Sequence, residues 1–280
     1  MVKRLASALV AVGIISAGWV WGLRVLAESE PVAVPSSSSL PSPLSEGWPL
    51  AFDGQFTGQR LNTSVWGTCY PWAARGSGCT NFGKANHERE WYLPSQDRVS
   101  GGALHLNAQR IPTSGRDAQG APQEYACRSG MVTTYPSFRF KYGYVRIVAR
   151  IPSGPGLWPA LWLAAANLKW PPEIDIFERW ARPRNLTGVY LHQVGAPLVI
   201  GHPVTADLSV GWHTFSLLWT SSKLAWFIDG RQVMTVYRNI PDQPMYLIAD
   251  LASYGDQRAP GECDGTMLIR SVKVWRVKAG

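Results

Sequence analysis

The chain has 280 residues, 46% of them hydrophobic, with 14 Trp, 27 Gly and 21 Pro. That composition excludes an intrinsically disordered protein and supplies a sizeable core, as one large β-domain or two small ones. The formal charge of +8 comes from basic residues scattered along the chain. The scatter argues against a nucleic-acid partner, and ordinary solubility charge accounts for the excess better than attraction to an acidic polysaccharide.

At the N-terminus, Lys3 and Arg4 precede an apolar run over residues 5–23, and Val25, Leu26 and Ala27 resemble a signal-peptidase site. This predicts a signal peptide over residues 1–27, cleavage after Ala27 and a secreted protein. An uncleaved membrane anchor carrying an extracytoplasmic domain is the alternative, because the run nears the length that spans a bilayer. Removing residues 1–27 would leave a charge of +5. Residues 28–47 are rich in Pro and Ser and bury no core, so they are expected to form a disordered linker. Residues 48–280 are then the folded domain.

Within that domain the dominant period is two. Residues 102–108, 144–147 and 213–217 alternate apolar with polar side chains, as half-buried strands do. Turn signals fall between such runs at Ser100-Gly101-Gly102, Asp229-Gly230, Pro241-Asp242 and Tyr254-Gly255-Asp256. No segment after the leader sustains a helical period, so an all-β antiparallel sandwich is expected, with no second domain. Cys69, Cys79, Cys127 and Cys263 make an even count, which in an exported chain implies disulfides with three possible connectivities. Cys69 and Cys79 flank a Gly-rich loop and are placed to pair locally, leaving Cys127 for Cys263. No His stands at a spacing that would complete a zinc site.

The most informative string is Glu173-Ile174-Asp175-Ile176-Phe177-Glu178. On a strand, Glu173 and Asp175 share one face, and a bulge at Phe177 or its neighbour would bring Glu178 to the same side. Three clustered carboxyls repel one another, so they are expected where chemistry requires them. Retaining glycoside hydrolysis needs one ionised carboxylate and one protonated carboxyl about 5–5.5 Å apart. Glu173 is assigned as nucleophile, Asp175 as its orienter and Glu178 as acid/base. Trp158 and Trp162 upstream and Trp180 downstream are candidate sugar platforms, since indoles pack on pyranose C–H faces.

The string resembles the active-site motif of glycoside hydrolase family 16 in its bulged form, the laminarinase-like and bacterial exopolysaccharide-directed branch. The likeness extends from about Phe52 to Trp275. It includes Phe52-Asp53-Gly54, Asn86-His87-Glu88-Arg89-Glu90, Ser129-Gly130-Met131, Tyr142-Gly143, the Trp158-Pro159-Ala160-Leu161-Trp162 run, and the stretch from Gly211-Trp212-His213 to Asp229-Gly230. The resemblance implies a β-jelly roll, concanavalin A-like, with a concave substrate cleft. It implies a monomeric endo-β-glycanase without cofactor, acting on β-1,3- or mixed-linkage glucan. An exopolysaccharide- or galactan-directed glycanase, a transglycosylase and a non-catalytic carbohydrate-binding protein are the alternatives.

It also implies a cleft role for His192, bonded to substrate or to Glu178, although a satisfied core histidine fits as well. Asn86 and Glu90 would line the far end of the cleft, while Glu88 and Arg89 read equally as a surface ion pair. His87, His105, His202 and His213 read as structural. Three residues depart from the family pattern. Pro172 replaces the Gly before the nucleophile, so the strand entrance should be an edge or bulge. Arg146 stands where Glu is usual. Arg270 occupies the place of an Asp that helps bind structural calcium in many members, which argues against that metal site although Asp53 is retained.

Overall fold

The computed structural model describes residues 42–277 except 44, 76–77, 82–86, 118, 181–185, 196–198 and 256–262. All of them belong to the unit Ser39–Gly280. The expected signal peptide, residues 28–41 of the expected linker, Asn86 and the side chain of Trp180 fall outside the described residues.

Two large antiparallel sheets form the domain. The first has eight strands in the order Arg231–Val236, Leu224–Ile228, His213–Trp219, Gly143–Arg150, Gly265–Trp275, Ala103–Ala108 and Asp97–Ser100, with Leu50–Gln55 also paired to Gly265–Trp275. The last of these strands is long enough to serve two partners on one edge. Its first half pairs with Ala103–Ala108 and its second half with Leu50–Gln55. The second sheet runs Met131–Thr133, Met245–Ser253, Leu157–Ala165, Glu173–Trp180, Leu186–His192 and Val199–Pro203. The architecture is the all-β antiparallel sandwich that the period of two predicts, in the jelly-roll form that the resemblance implies.

Alternation along the strands explains how the sheets pack. Val145, Ile147 and Ala149 from one sheet and Leu161, Leu163, Ile174, Leu247 and Ala249 from the other join one buried cluster. Each fully buried Leu or Ile there contributes about 1.5–3 kcal/mol of apolar transfer. Leu157–Ala165 and Met245–Ser253 are buried along all nine residues, because their other face is covered too. Trp158, Ala160, Trp162, Tyr246 and Ile248 pack on that side with Tyr70, Cys79, Tyr92 and Met131. The cover comes from a small third sheet of Ala74–Arg75, Gly78–Cys79, Glu90–Tyr92 and Cys127–Ser129, whose last pair is parallel.

Both expected disulfides are present, Cys69–Cys79 with Cα atoms 5.8 Å apart and Cys127–Cys263 at 6.5 Å. The first ties down the loop that carries Tyr70 and Trp72; the second joins the small sheet to the segment leading into Gly265–Trp275. Arg270, the departure at the calcium position, lies with its guanidinium 4.1 Å over the ring of Trp212. Asp53 lies 3.4 Å from the Lys273 amine. Glu88 and Arg89 are 3% and 2% exposed, which corrects the surface ion-pair reading. Their segment leads into the Glu90–Tyr92 strand of the small sheet and is bonded to Ser253, Arg89 N–H donating to its carbonyl at 2.9 Å.

Candidate active site

Glu173–Trp180 lies between Leu157–Ala165 and Leu186–His192. Glu173 faces Ala164 and His192 across the ladders, Asp175 faces Trp162 and Tyr190, and Glu178 faces Ala160 and Gly188. Directly opposed residues project to one side of a sheet. Ala160, Trp162 and Ala164 belong to the outer cluster, so all three carboxyls stand on the face turned away from the core. Ala160 and Ala164 are the small residues opposite the two glutamates, and the Tyr190 ring packs over Gly188.

The bulge that makes this possible sits one residue earlier than Phe177. Leu161 pairs with Phe177 and Trp162 with Asp175, leaving Ile176 as the extra residue. Ile176 and Phe177 are 1% and 0% exposed and both enter the inter-sheet core. Two consecutive inward side chains return Glu178 to the outer face. Trp226 on the facing sheet donates its indole N–H to the Asp175 carbonyl at 2.9 Å, which fixes the backbone where the ladder is interrupted. Pro172 stands just before the first paired residue, where its missing N–H costs no ladder bond.

Each acid has its own surroundings. The Trp158 indole N–H donates to Glu178 Oε1 at 2.8 Å. His192 Nε2 lies 3.1 Å from Asp175 Oδ2 and 3.2 Å from Glu173 Oε1. It therefore reaches these two acids and not Glu178, which corrects that part of the expectation. Its partners sit directly across the ladder or one step along it. Both partners are carboxyl oxygens, and among the described residues the buried Nδ1 has no hydrogen-bond partner. Burial pushes the Glu173 carboxyl well above the usual range, with Asp175 adding to the rise and His192 opposing it. Burial, then Asp250, raises Asp175 likewise. Ligand atoms of Glu173, Asp175 and His192 lie within 4.8 Å of one another, close enough to share a cation as well as protons.

Trp158 and Trp162 are 8% and 7% exposed, so neither offers an open face to a sugar, contrary to the platform reading. Trp162 instead donates its N–H to Asp250 Oδ1 at 2.6 Å. The open indole is Trp170, 50% exposed and with its ring 5.8 Å from that of His192. Half-buried Trp72 stacks on Tyr70 at 5.0 Å and stands 6.2 Å from Trp162. Trp170 was legible in its place just before Pro171-Pro172-Glu173; Trp72 was hidden in a loop whose path no periodicity gives.

Sequence reasoning also missed a buried acidic group beneath the cleft. Asp250 stands opposite Ala160, accepts from Tyr92 OH at 3.3 Å and has its carboxyl pushed up to about 7, chiefly by burial. Glu90 is wholly buried, accepting from Ser253 N–H at 2.8 Å, and so does not line an open cleft end.

A family model described as glycosyl hydrolases family 16 matches residues 86–265. The chain is 32% identical over 234 residues to the endo-1,3-1,4-beta-glycanase ExsH of Rhizobium meliloti (strain 1021), covering 78% of this chain and 49% of that protein. It is also 32% identical over 231 residues to EglC, an endo-1,3-1,4-beta-glycanase of the same organism, covering 78% of this chain and 48% of the relative. The chain thus spans about half the length of these two relatives. Among solved structures, the laminarinase from Flavobacterium sp. UMI-01 superposes with a TM-score of 0.65 at 27% identity, covering 81% of this chain and 100% of that one.

Proposed function

Because the chain belongs to glycosyl hydrolase family 16, we propose that it is a retaining endo-β-glycanase that cleaves β-1,3- or mixed-linkage glucan by double displacement. The carrying observation is the bulged strand that sets Glu173, Asp175 and Glu178 on one face with different partners. Glu178 donates its proton to the glycosidic oxygen while the Glu173 carboxylate attacks the anomeric carbon. Water, deprotonated by Glu178, then displaces Glu173 with a second inversion. The Trp158 N–H donates to Oε1 of Glu178 and orients this carboxyl. His192, held between Asp175 and Glu173, orients the nucleophile and offsets its burial. The Rhizobium meliloti relatives, both endo-1,3-1,4-beta-glycanases, support the choice of linkage. The signal-like N-terminus and the two disulfides support secretion.

The test is release of reducing ends from laminarin, lichenan, agarose, carrageenan and succinoglycan-type polymers, with Glu173→Gln as control. Release from laminarin or lichenan that the control abolishes is the expected result. Release from the galactans alone would overturn the substrate, and release undiminished in the control would overturn the site.

A further inference from the structure

A depression of about 500 Å³ opens on the eight-stranded sheet, bordered by Trp48, Leu50, Arg146, Lys273 and Trp275. Val145 and Ile147 point into the core, so Arg146 projects from the outer face of this sheet. The carboxyls of the candidate active site project from the outer face of the other sheet, so the two sites lie on opposite sides of the sandwich.

Two features distinguish this depression from ordinary surface. Arg146 and Lys273 are direct partners across neighbouring strands. Like charges so placed destabilise a sheet. Lys273 leans to Asp53 at 3.4 Å, whereas Arg146 makes no ion pair among the described residues. The indoles are also held in place. Trp48 and Trp275 lean on the buried Tyr144 ring, with centroids 6.0 and 5.8 Å from it. Fixed indoles beside two adjacent cations, of which Arg146 has no ion pair among the described residues, match a sugar chain that carries carboxylates. The rings pack on pyranose C–H faces, and guanidinium and amine pair with the acid groups.

We propose that this depression is a second binding site, which holds a segment of carboxylated polysaccharide. The site is independent of the reaction assigned to the other face.

Calorimetric binding of an oligogalacturonide to the full chain tests it, with a neutral laminari-oligosaccharide of equal length in parallel. Arg146→Gln with Lys273→Gln is the variant, and laminarin hydrolysis reports its folding. The acidic oligomer should bind the wild type, weaken as salt rises, and bind the variant roughly tenfold less tightly or worse, with hydrolysis unchanged. No binding, equal binding of the neutral oligomer, or unchanged binding by the folded variant would each overturn the proposal.

Discussion

His192 holds the balance between two carboxyls that burial would otherwise protonate. Its Nε2 lies within 3.2 Å of both Glu173 and Asp175, and its charge opposes the rise that burial and Asp175 impose on Glu173. A nucleophile must be ionised, so the acidic limb of kcat/KM follows Glu173 in the free enzyme. His192→Gln keeps a hydrogen-bond donor and removes the charge. Glu173 then titrates at still higher pH, and the acidic limb moves upward with it. Several-fold loss of activity at the acidic end, with less change on the alkaline side, is the expected pH profile. An acidic limb that stays in place would show that His192 does not tune the nucleophile.

At the level of elements, the catalytic strand was legible because its two periods conflict. Glu173 and Asp175 obey a spacing of two, Glu178 breaks it, and only an extra residue reconciles the three. The string could not say which residue is extra, since Ile176 and Phe177 are equally apolar. Pairing with Leu157–Ala165 decides for Ile176. The role of Trp226, 51 residues away on the facing sheet, could not be read from spacing at all. The same holds for Trp158 and Trp162. Their sequence marks them as aromatic neighbours of the acids, but exposure separates a sugar platform from a buried clamp, and that depends on the small sheet packed over them. Long loops fixed by disulfides carry that sheet, which is why Trp72 escaped notice. Asp250 sits instead on the strand Met245–Ser253, and its partners Trp162 and Tyr92 are 88 and 158 residues away.

Across the whole molecule, the sandwich followed from alternation and turn chemistry, whereas its buried acids did not. Burial is the largest cause holding the carboxyls of Glu90, Asp97, Glu173, Asp175 and Asp250 above their usual range. For an acid raised this way the folded state keeps its proton where the unfolded chain has lost it. Its favourable contribution is complete below the unfolded value and is lost as pH rises through the folded one. For Asp250 that window runs from 3.8 to about 7, and at most about 4 kcal/mol is lost across it. The protein should therefore melt at higher temperature near pH 5 than near pH 8. Asp250→Asn still accepts from Trp162 but buries no charge, so it should flatten this dependence and raise the melting temperature near pH 8. A wild-type melting temperature that rises from pH 5 to pH 8 would contradict the account.

The division of labour between Glu173 and Glu178 is the central claim, and azide rescue of Glu178→Ala on an activated aryl β-glycoside tests it most directly. Without its acid/base the enzyme still forms the glycosyl–Glu173 intermediate from a good leaving group, and azide attacks that intermediate unaided. The account predicts restored turnover and a β-glycosyl azide as product, identified by its anomeric NMR coupling. An α-glycosyl azide would mean that Glu178 is the nucleophile, and the assignment would be reversed.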